Sequence, residues 1–297
     1  MTITPAGIAW QRRRAAAGRV WAQFRRDRGG MAGLVVLVVI VLLALLAPLI
    51  SDPAGLNPAH ATGRAFQPPS GDFLLGTDEL GRSVLLQLLW GSRISLLVGL
   101  VATLLSVGLG TLVGVLMAHF GGWLSAVLMR VTDFFLVLPS LVLAVILSTV
   151  LEPGIQSIII AIAVTSWPTT ARLVRAQTLA VESRPYIERA WALGAGNLHV
   201  IAKHVLPAVA PLVFANTTLN VANSIITEST LSFLGAGDPT AASWGQMLND
   251  ANQNSAVSAQ AWWYLLPPGL AIAVVVLAFM MCGRALEAVL NPRLRER

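Results

Sequence analysis

The sequence predicts an all-α membrane protein with about six transmembrane helices, cytoplasmic N and C termini, and a cytoplasmic helix-turn-helix loop. Three observations carry this expectation. Only 11% of the 297 residues are charged and 56% are hydrophobic, whereas a soluble domain carries roughly 25% charged residues. The mean hydropathy is +0.72, and the apolar residues gather in runs long enough to cross a bilayer. Of the 20 basic residues, 17 fall on one side of the topology that those runs imply.

Residues 1–30 form a basic arm. Arg12, Arg13, Arg14, Arg19, Arg25, Arg26 and Arg28 stand against the single acid Asp27, with Trp10, Val20, Trp21 and Phe24 interleaved. Coiled as a helix, the arm would place apolar groups above a cationic side, the pattern of an amphipathic helix lying on anionic lipid. A basic leader without fixed structure fits the same composition. Met31 to Ile50 is free of charge, and twenty residues at about 1.5 Å each span a hydrocarbon core of roughly 30 Å. A signal peptide would place small residues at a cleavage site just after its apolar core. Pro48, Ile50 and Asp52 stand there instead, so an uncleaved first span is expected.

Residues 51–91 turn polar and rich in Pro and Gly and are read as an external loop ending in a more regular stretch. Residues 92–290 are read as a core with five further spans near 94–118, 124–151, 155–178, 208–234 and 264–286, and residues 291–297 as a cytoplasmic tail. The arm, Arg130, the group Arg172, Arg175, Arg184, Arg189 and Lys203, and finally Arg284, Arg293, Arg295 and Arg297 fall inside; Arg64, Arg82 and Arg93 fall outside. Cytoplasmic loops carry the excess of Lys and Arg, which places both termini in the cytoplasm and requires an even number of spans. Trp262, Trp263 and Tyr264 before the last run have the composition of an interfacial aromatic anchor. Gly110 and Gly114 form a small-xxx-small pair suited to close helix approach.

Several function classes lack their residues. No Gly-x-x-x-x-Gly-Lys-Ser/Thr loop exists, since the one lysine, Lys203, lies between Ala202 and His204. The four histidines (His60, His119, His199, His204) include no His-Glu-x-x-His pair, and no Gly-x-Ser-x-Gly elbow occurs. No catalytic, cofactor-binding or metal site is expected in this chain. A single cysteine, Cys282, excludes an intrachain disulfide. The Arg residues cluster at the ends of apolar runs rather than on a solvated face, so nucleic acid is not an expected partner. Ion-coupled transport would call for charged groups near mid-membrane; Asp133 and Glu228 are the candidates, with structural pairing as the alternative for both.

The most informative segment is 181–207, VESRPYIERAWALGAGNLHVIAKHVLP. Ser183 is placed to cap a helix with Pro185 in its first turn, running to Leu193. Gly194-Ala195-Gly196 permits a reversal, and Asn197 is placed to cap a second helix ending before Pro207. Tyr186, Ile187, Ala190, Trp191 and Leu193 give the first helix an apolar face, which either docks on a partner or packs on the chain's own loops.

Glu188-Arg189-Ala190, then Gly194, then Leu206-Pro207 resembles the EAA loop of binding-protein-dependent ABC importer permeases, departing from it at Arg189 and His204. Residues 74–100, LLGTDELGRSVLLQLLWGSRISLLVGL, and 228–251, ESTLSFLGAGDPTAASWGQMLNDA, are similar to segments of the dipeptide, oligopeptide and nickel importers within that family. The first span and long loop, 31–73, resemble its C-type permease subunit. The resemblance implies a non-enzymatic subunit of the bacterial cell membrane. Its implied partners are a homologous permease, two ATPase subunits that use ATP and magnesium, an external substrate-binding protein, membrane lipid and a peptide substrate. Nickel or glutathione is the alternative cargo. It implies an ATPase-coupling element at Tyr186, Glu188, Arg189, Ala190, Leu193, Gly194 and Ala195. Asp78, Arg82, Asp238, Trp244 and Asp250 are candidates for an external interface, with span capping as the alternative for the Thr77–Arg82 run.

Overall fold

The structure, a computed structural model, describes residues 18–152 and 154–290. Residues 1–17 of the basic arm, residue 153 and the tail from 291 lie outside the described residues. Residues 18–24 are helical, and Phe24 is buried against Cys282, Ala285 and Val289 of the last helix.

Ten α-helices are taken in chain order, and no strand occurs among the described residues. The first, α1, spans Arg28–Ile50; the Asp27 carboxylate accepts the Gly30 amide at 2.7 Å at its start, satisfying an otherwise orphaned donor. Two 3-10 turns, Pro53–Leu56 and Pro58–His60, are capped by the Asp52 and Asn57 side chains. Helix α2 spans Val84–His119 and starts ten residues before the expected span. Polar residues hide that start from a hydropathy reading, yet each is satisfied locally: Gln87 bonds Asp78, Ser92 bonds the Leu89 carbonyl, and the Arg93 guanidinium lies 4.9 Å from the Trp90 ring centre.

The expected third span is two helices, α3 (Gly122–Val137) and α4 (Ser140–Val150), bent by 92°. Pro139 accounts for the break, because it lacks an amide donor and disfavours helical geometry at Leu138 before it. Helix α5 runs Ile155–Glu182. A short hairpin of α6 (Pro185–Ala192) and α7 (Asn197–Val200) follows, and then a π turn, Ile201–Val205, leads into α8 (Leu206–Phe233). The helix is therefore continuous from Asn197 to Phe233 and does not stop before Pro207. The wide turn lies directly ahead of Pro207, whose missing amide cannot bond the Lys203 carbonyl. Helices α9 (Trp244–Gln253) and α10 (Trp262–Leu290) complete the chain. Among the described residues, five helices have the length and composition to cross a membrane, six spans if the bent pair is one.

Helix α2 packs most extensively on α5, then on α8; α10 lies between α8 and α1. The Gly110–Gly114 pair sits on the α2–α5 contact. A Cβ on Gly110 would lie 2.7 Å from the Trp167 carbonyl oxygen, and one on Gly114 would lie 2.6 Å from that of Ala171. Backbone-to-backbone contact of this kind holds helices together where lipid offers no hydrophobic drive. The bundle has a loop end, made by residues 51–83 and α9, and a hairpin end, made by α6 and α7.

Candidate functional site

The hairpin is a rigid element. Pro185 occupies the first turn of α6, but the N-cap is Arg184; Ser183 instead caps α5, and its hydroxyl donates to the Ala180 carbonyl. After Leu193 the chain reverses at Gly194, φ +85°, a left-handed conformation that costs a side-chain-bearing residue. The Ala195 amide bonds the Ala190 carbonyl at 3.1 Å and the Gly194 amide bonds that of Trp191 at 2.9 Å, the paired bonds of a Schellman ending. Gly196, rather than Asn197, is the N-cap of α7.

The apolar face of α6 divides. Ile187 is buried among Val115, Val174, Val181, Val200 and Val205 and roots the hairpin in the bundle. Trp191 stacks on His119 with ring centres 5.8 Å apart, and His119 Nδ1 lies 2.6 Å from Glu182 Oε1, joining the ends of α2 and α5. Leu193 and Leu198 are 89% and 82% exposed. Tyr186, Arg189, Ala190, Leu193, Gly194 and Ala195 line one groove of about 560 Å³, with His199 and His204 on its far side. Glu188 is exposed and lies outside this lining.

At the loop end the structure corrects the exposure expected of three residues. Asp78 is fully buried. Its Oδ1 accepts the amides of Leu80 and Arg82 at 2.9 and 2.7 Å, and its Oδ2 accepts Arg82 Nε and Gln87 Nε2 at 2.6 and 2.7 Å. Arg82 turns inward on this carboxylate. Burial by itself would lower the proton affinity of the guanidinium, but Asp78 outweighs it and raises the pKa above its ordinary value. Trp244 is 2% exposed; its indole donates to the Leu88 carbonyl at 3.0 Å and its amide to Ser95 Oγ at 3.3 Å. Asp78 and Trp244 thus hold the loop end together and offer no surface to a partner. The partners of Trp244 come from α2, far along the chain, whereas those of Asp78 are local, at Leu80, Arg82 and Gln87.

Asp238 and Asp250 keep partial exposure. Asp238 accepts the Thr240 amide and hydroxyl at 2.8 and 2.6 Å, and Asp250 accepts Gln246 Nε2 at 2.8 Å. Burial pushes the Asp250 carboxyl up, and it pushes Glu79 up as well. The aromatic anchor also resolves differently. Only Trp262 is exposed; Tyr264 is fully buried, and Trp263 donates its indole N–H to the Thr77 carbonyl at 3.2 Å.

The two acids weighed for ion coupling have partners. Glu228 is buried and accepts hydroxyls of Ser229 and Ser232 at 3.2 and 3.0 Å. Asp133 Oδ1 lies 2.6 Å from Arg172 Nη2. The sequence reading missed two polar faces along the spans. On α5, Ser166, Thr169 and Arg172 recur every three residues with partial or full exposure; on α8, Asn216, Asn220, Asn223 and Thr227 do so at three- and four-residue spacing. The faces meet where Asn216 Nδ2 donates to Thr170 Oγ1 at 3.3 Å. Helical periodicity of the asparagines within an apolar run was the available signal.

Comparison with known proteins agrees with this architecture. Residues 110–296 match the family described as binding-protein-dependent transport system inner membrane component, and residues 17–69 match the N-terminal TM domain of oligopeptide transport permease C. A protein of Brucella suis biovar 1 (strain 1330) named as a peptide transport system permease is 39% identical over 232 residues, 77% of each chain. A glutathione transport system permease protein, GsiD of Pectobacterium atrosepticum, is 34% identical over 78% of this chain and 76% of its own. Among solved structures, a chain of the MetNI methionine ABC transporter in inward-facing conformations shares the fold: TM-score 0.56, 22% identity, 68% of this chain and 96% of that one. The chain therefore belongs to the binding-protein-dependent transport system inner membrane component family, as a multi-pass ABC importer permease of the bacterial inner membrane.

Proposed function

We propose that the chain is one of two permeases in an ATP-driven importer of short peptides, with the α6–α7 hairpin as the element that seats in an ATPase subunit. The observation that carries this reading is the hairpin itself. It projects exposed Leu193 and Leu198 beside an open groove, while Ile187 and Trp191 anchor it to the bundle. Water disfavours such apolar tips on a rigid support, and a partner surface would cover them. The ATPases would supply ATP and magnesium chemistry, a binding protein would deliver cargo at the loop end, and both termini would lie in the cytoplasm, which the distribution of Arg favours. At the loop end, Asp238 and Asp250 remain the candidates for contact with the binding protein.

Relatives named for peptide and for glutathione, itself a modified tripeptide, favour short peptides as cargo. The test is copurification with candidate neighbouring subunits, followed by ATPase assays in lipid with binding protein and peptides of two to five residues. A four-subunit complex stimulated by peptide-loaded binding protein is expected. A chain that purifies alone and moves substrate along an ion gradient would refute the reading.

A further inference from the structure

The Asp133–Arg172 pair sits in an unusual place. Arg172 lies ten residues before the end of α5 and Asp133 eleven residues after the start of α3, about 15 Å along each helix from the hairpin end. Their side chains are 60% and 36% exposed. Charged groups at that depth facing lipid would be costly, and spanning helices turn them toward protein or a water-filled path. Arg172 continues the polar face of α5 through Ser166 and Thr169, and Thr170, two residues away, meets Asn216 of α8. A face of this kind is turned toward protein or a water-filled path rather than toward lipid.

A cavity of about 360 Å³ opens there, lined by Met117, Met129, Thr132, Asp133, Arg172 and Arg175. Its charged groups are two guanidiniums and one carboxylate, an excess of one positive charge. The Arg175 Nε is buried and has no hydrogen-bond partner among the described residues. Arg172 spends one nitrogen on Asp133 and gives no other side-chain hydrogen bond among the described residues. Two planar forks with free donors, beside a thioether wall, match a carboxylate in geometry and charge.

We infer that this cavity is a pathway subsite for the C-terminal carboxylate of the transported peptide, held by Arg172 and Arg175, with Asp133 orienting Arg172. The inference rests on the importer reading and adds to it a substrate feature: cargo must carry a free carboxylate.

The test compares trialanine with trialanine amide on the whole complex in nanodiscs, without binding protein, by equilibrium binding of radiolabelled peptide. Wild type should bind trialanine about tenfold or more tighter than the amide, the scale of one lost charge-assisted contact. Arg175→Gln leaves the Asp133–Arg172 pair in place and should bring the ratio toward one. The double variant Asp133→Asn/Arg172→Gln, which removes both charges of the pair and leaves Arg175 as the one charged group of the cavity, should lower the ratio, while Arg175→Lys should keep part of the preference. Equal binding of the two peptides by wild type, no binding of either, or an unchanged ratio in both Gln-bearing variants would overturn the subsite. ATP-driven uptake of trialanine by wild-type proteoliposomes with binding protein is scored separately. Its absence would sink the importer reading, whereas uptake with equal binding of peptide and amide would sink only the carboxylate site.

Discussion

Asp78 is the residue whose loss should most damage the loop end. Its side chain has no exposed surface and accepts four hydrogen bonds, two from backbone amides and two from the Arg82 and Gln87 side chains. Asp78→Ala leaves a mostly buried guanidinium with only the more distant Glu79 carboxylate, 3.7 Å away, as counter-charge; breaking a buried pair typically costs about 3–5 kcal/mol. Asp78→Asn, though equal in shape, should not rescue. The two carboxylate oxygens each face two donors, so either orientation of the amide turns an NH₂ group toward two N–H groups. At about 1.4 kcal/mol per factor of ten, local opening should rise by two orders of magnitude or more. Hydrogen exchange in nanodiscs reads this directly. The Phe66, Thr77 and Val84 amides donate to the Asp78, Gln67 and Gly76 carbonyls and do not touch the mutated side chain, so their loss of protection reports opening of the loop. Protection in Asp78→Ala within about tenfold of wild type, or wild-type behaviour of Asp78→Asn, would refute the reasoning.

Gly114→Leu forces a side chain against the Ala171 carbonyl and Val174 and should cost about 3 kcal/mol by overpacking, seen as a lower melting temperature and loss of the monodisperse peak in detergent. Leu193→Asp, at a fully projecting position, should leave insertion unchanged and weaken ATPase association about tenfold or more; an intact complex would remove Leu193 from the coupling surface. For Glu79 and Asp250, burial raises both folded-state pKa values. The folded chain then holds more protons than the unfolded one between the unfolded and folded pKa values, so these groups cost stability as pH rises through that window. Glu79→Gln/Asp250→Asn should therefore be more stable than wild type at pH 8, with the gap closing toward pH 4; a gap that widens on acidification would reverse the assignment.

How much of this was legible depended on how local the physics is. Spans α1 and α10 follow from unbroken apolar runs, and a close helix approach at Gly110 and Gly114 from their spacing, though not that α5 is the partner, because one helix face announces the contact but not its other side. The turn at Gly194 and Pro185 in the first turn of α6 were equally local. The bend at Pro139 was written in the sequence but overruled by continuous hydropathy across it. Trp244 was misread because its burial depends on partners elsewhere: it bonds Ser95 and Leu88, 149 and 156 residues away. Asp78 was misread although its partners, Leu80, Arg82 and Gln87, are local, because three charges in a polar run look solvated until the turn that folds them inward is known. The pairing of Asp133 with Arg172 spans 39 residues and two helices, and no pattern within either helix encodes it.

The connectivity decides where a push on the hairpin would go. The hairpin joins α5 to α8, and those two helices carry the polar faces and Arg172. Ile187 is set between residues of α2, α5, α7 and α8, and Trp191 leans on His119 at the end of α2, which Glu182 of α5 holds. Helices α1 and α10 make no part of that anchorage; they meet along their own length, as where Gly33 lies against the Ala278 carbonyl, and α10 packs in turn on α8. A displacement of α6 is thus delivered first to the helices bearing the polar faces. A packed contact with no slack passes such a movement on as a rigid shift. His119→Ala removes the ring between Trp191 and Glu182 without touching the exposed tips of the hairpin. It should leave ATPase association intact while lowering the peptide transported per ATP hydrolysed. An unchanged ratio would mean that the push travels through Ile187 alone.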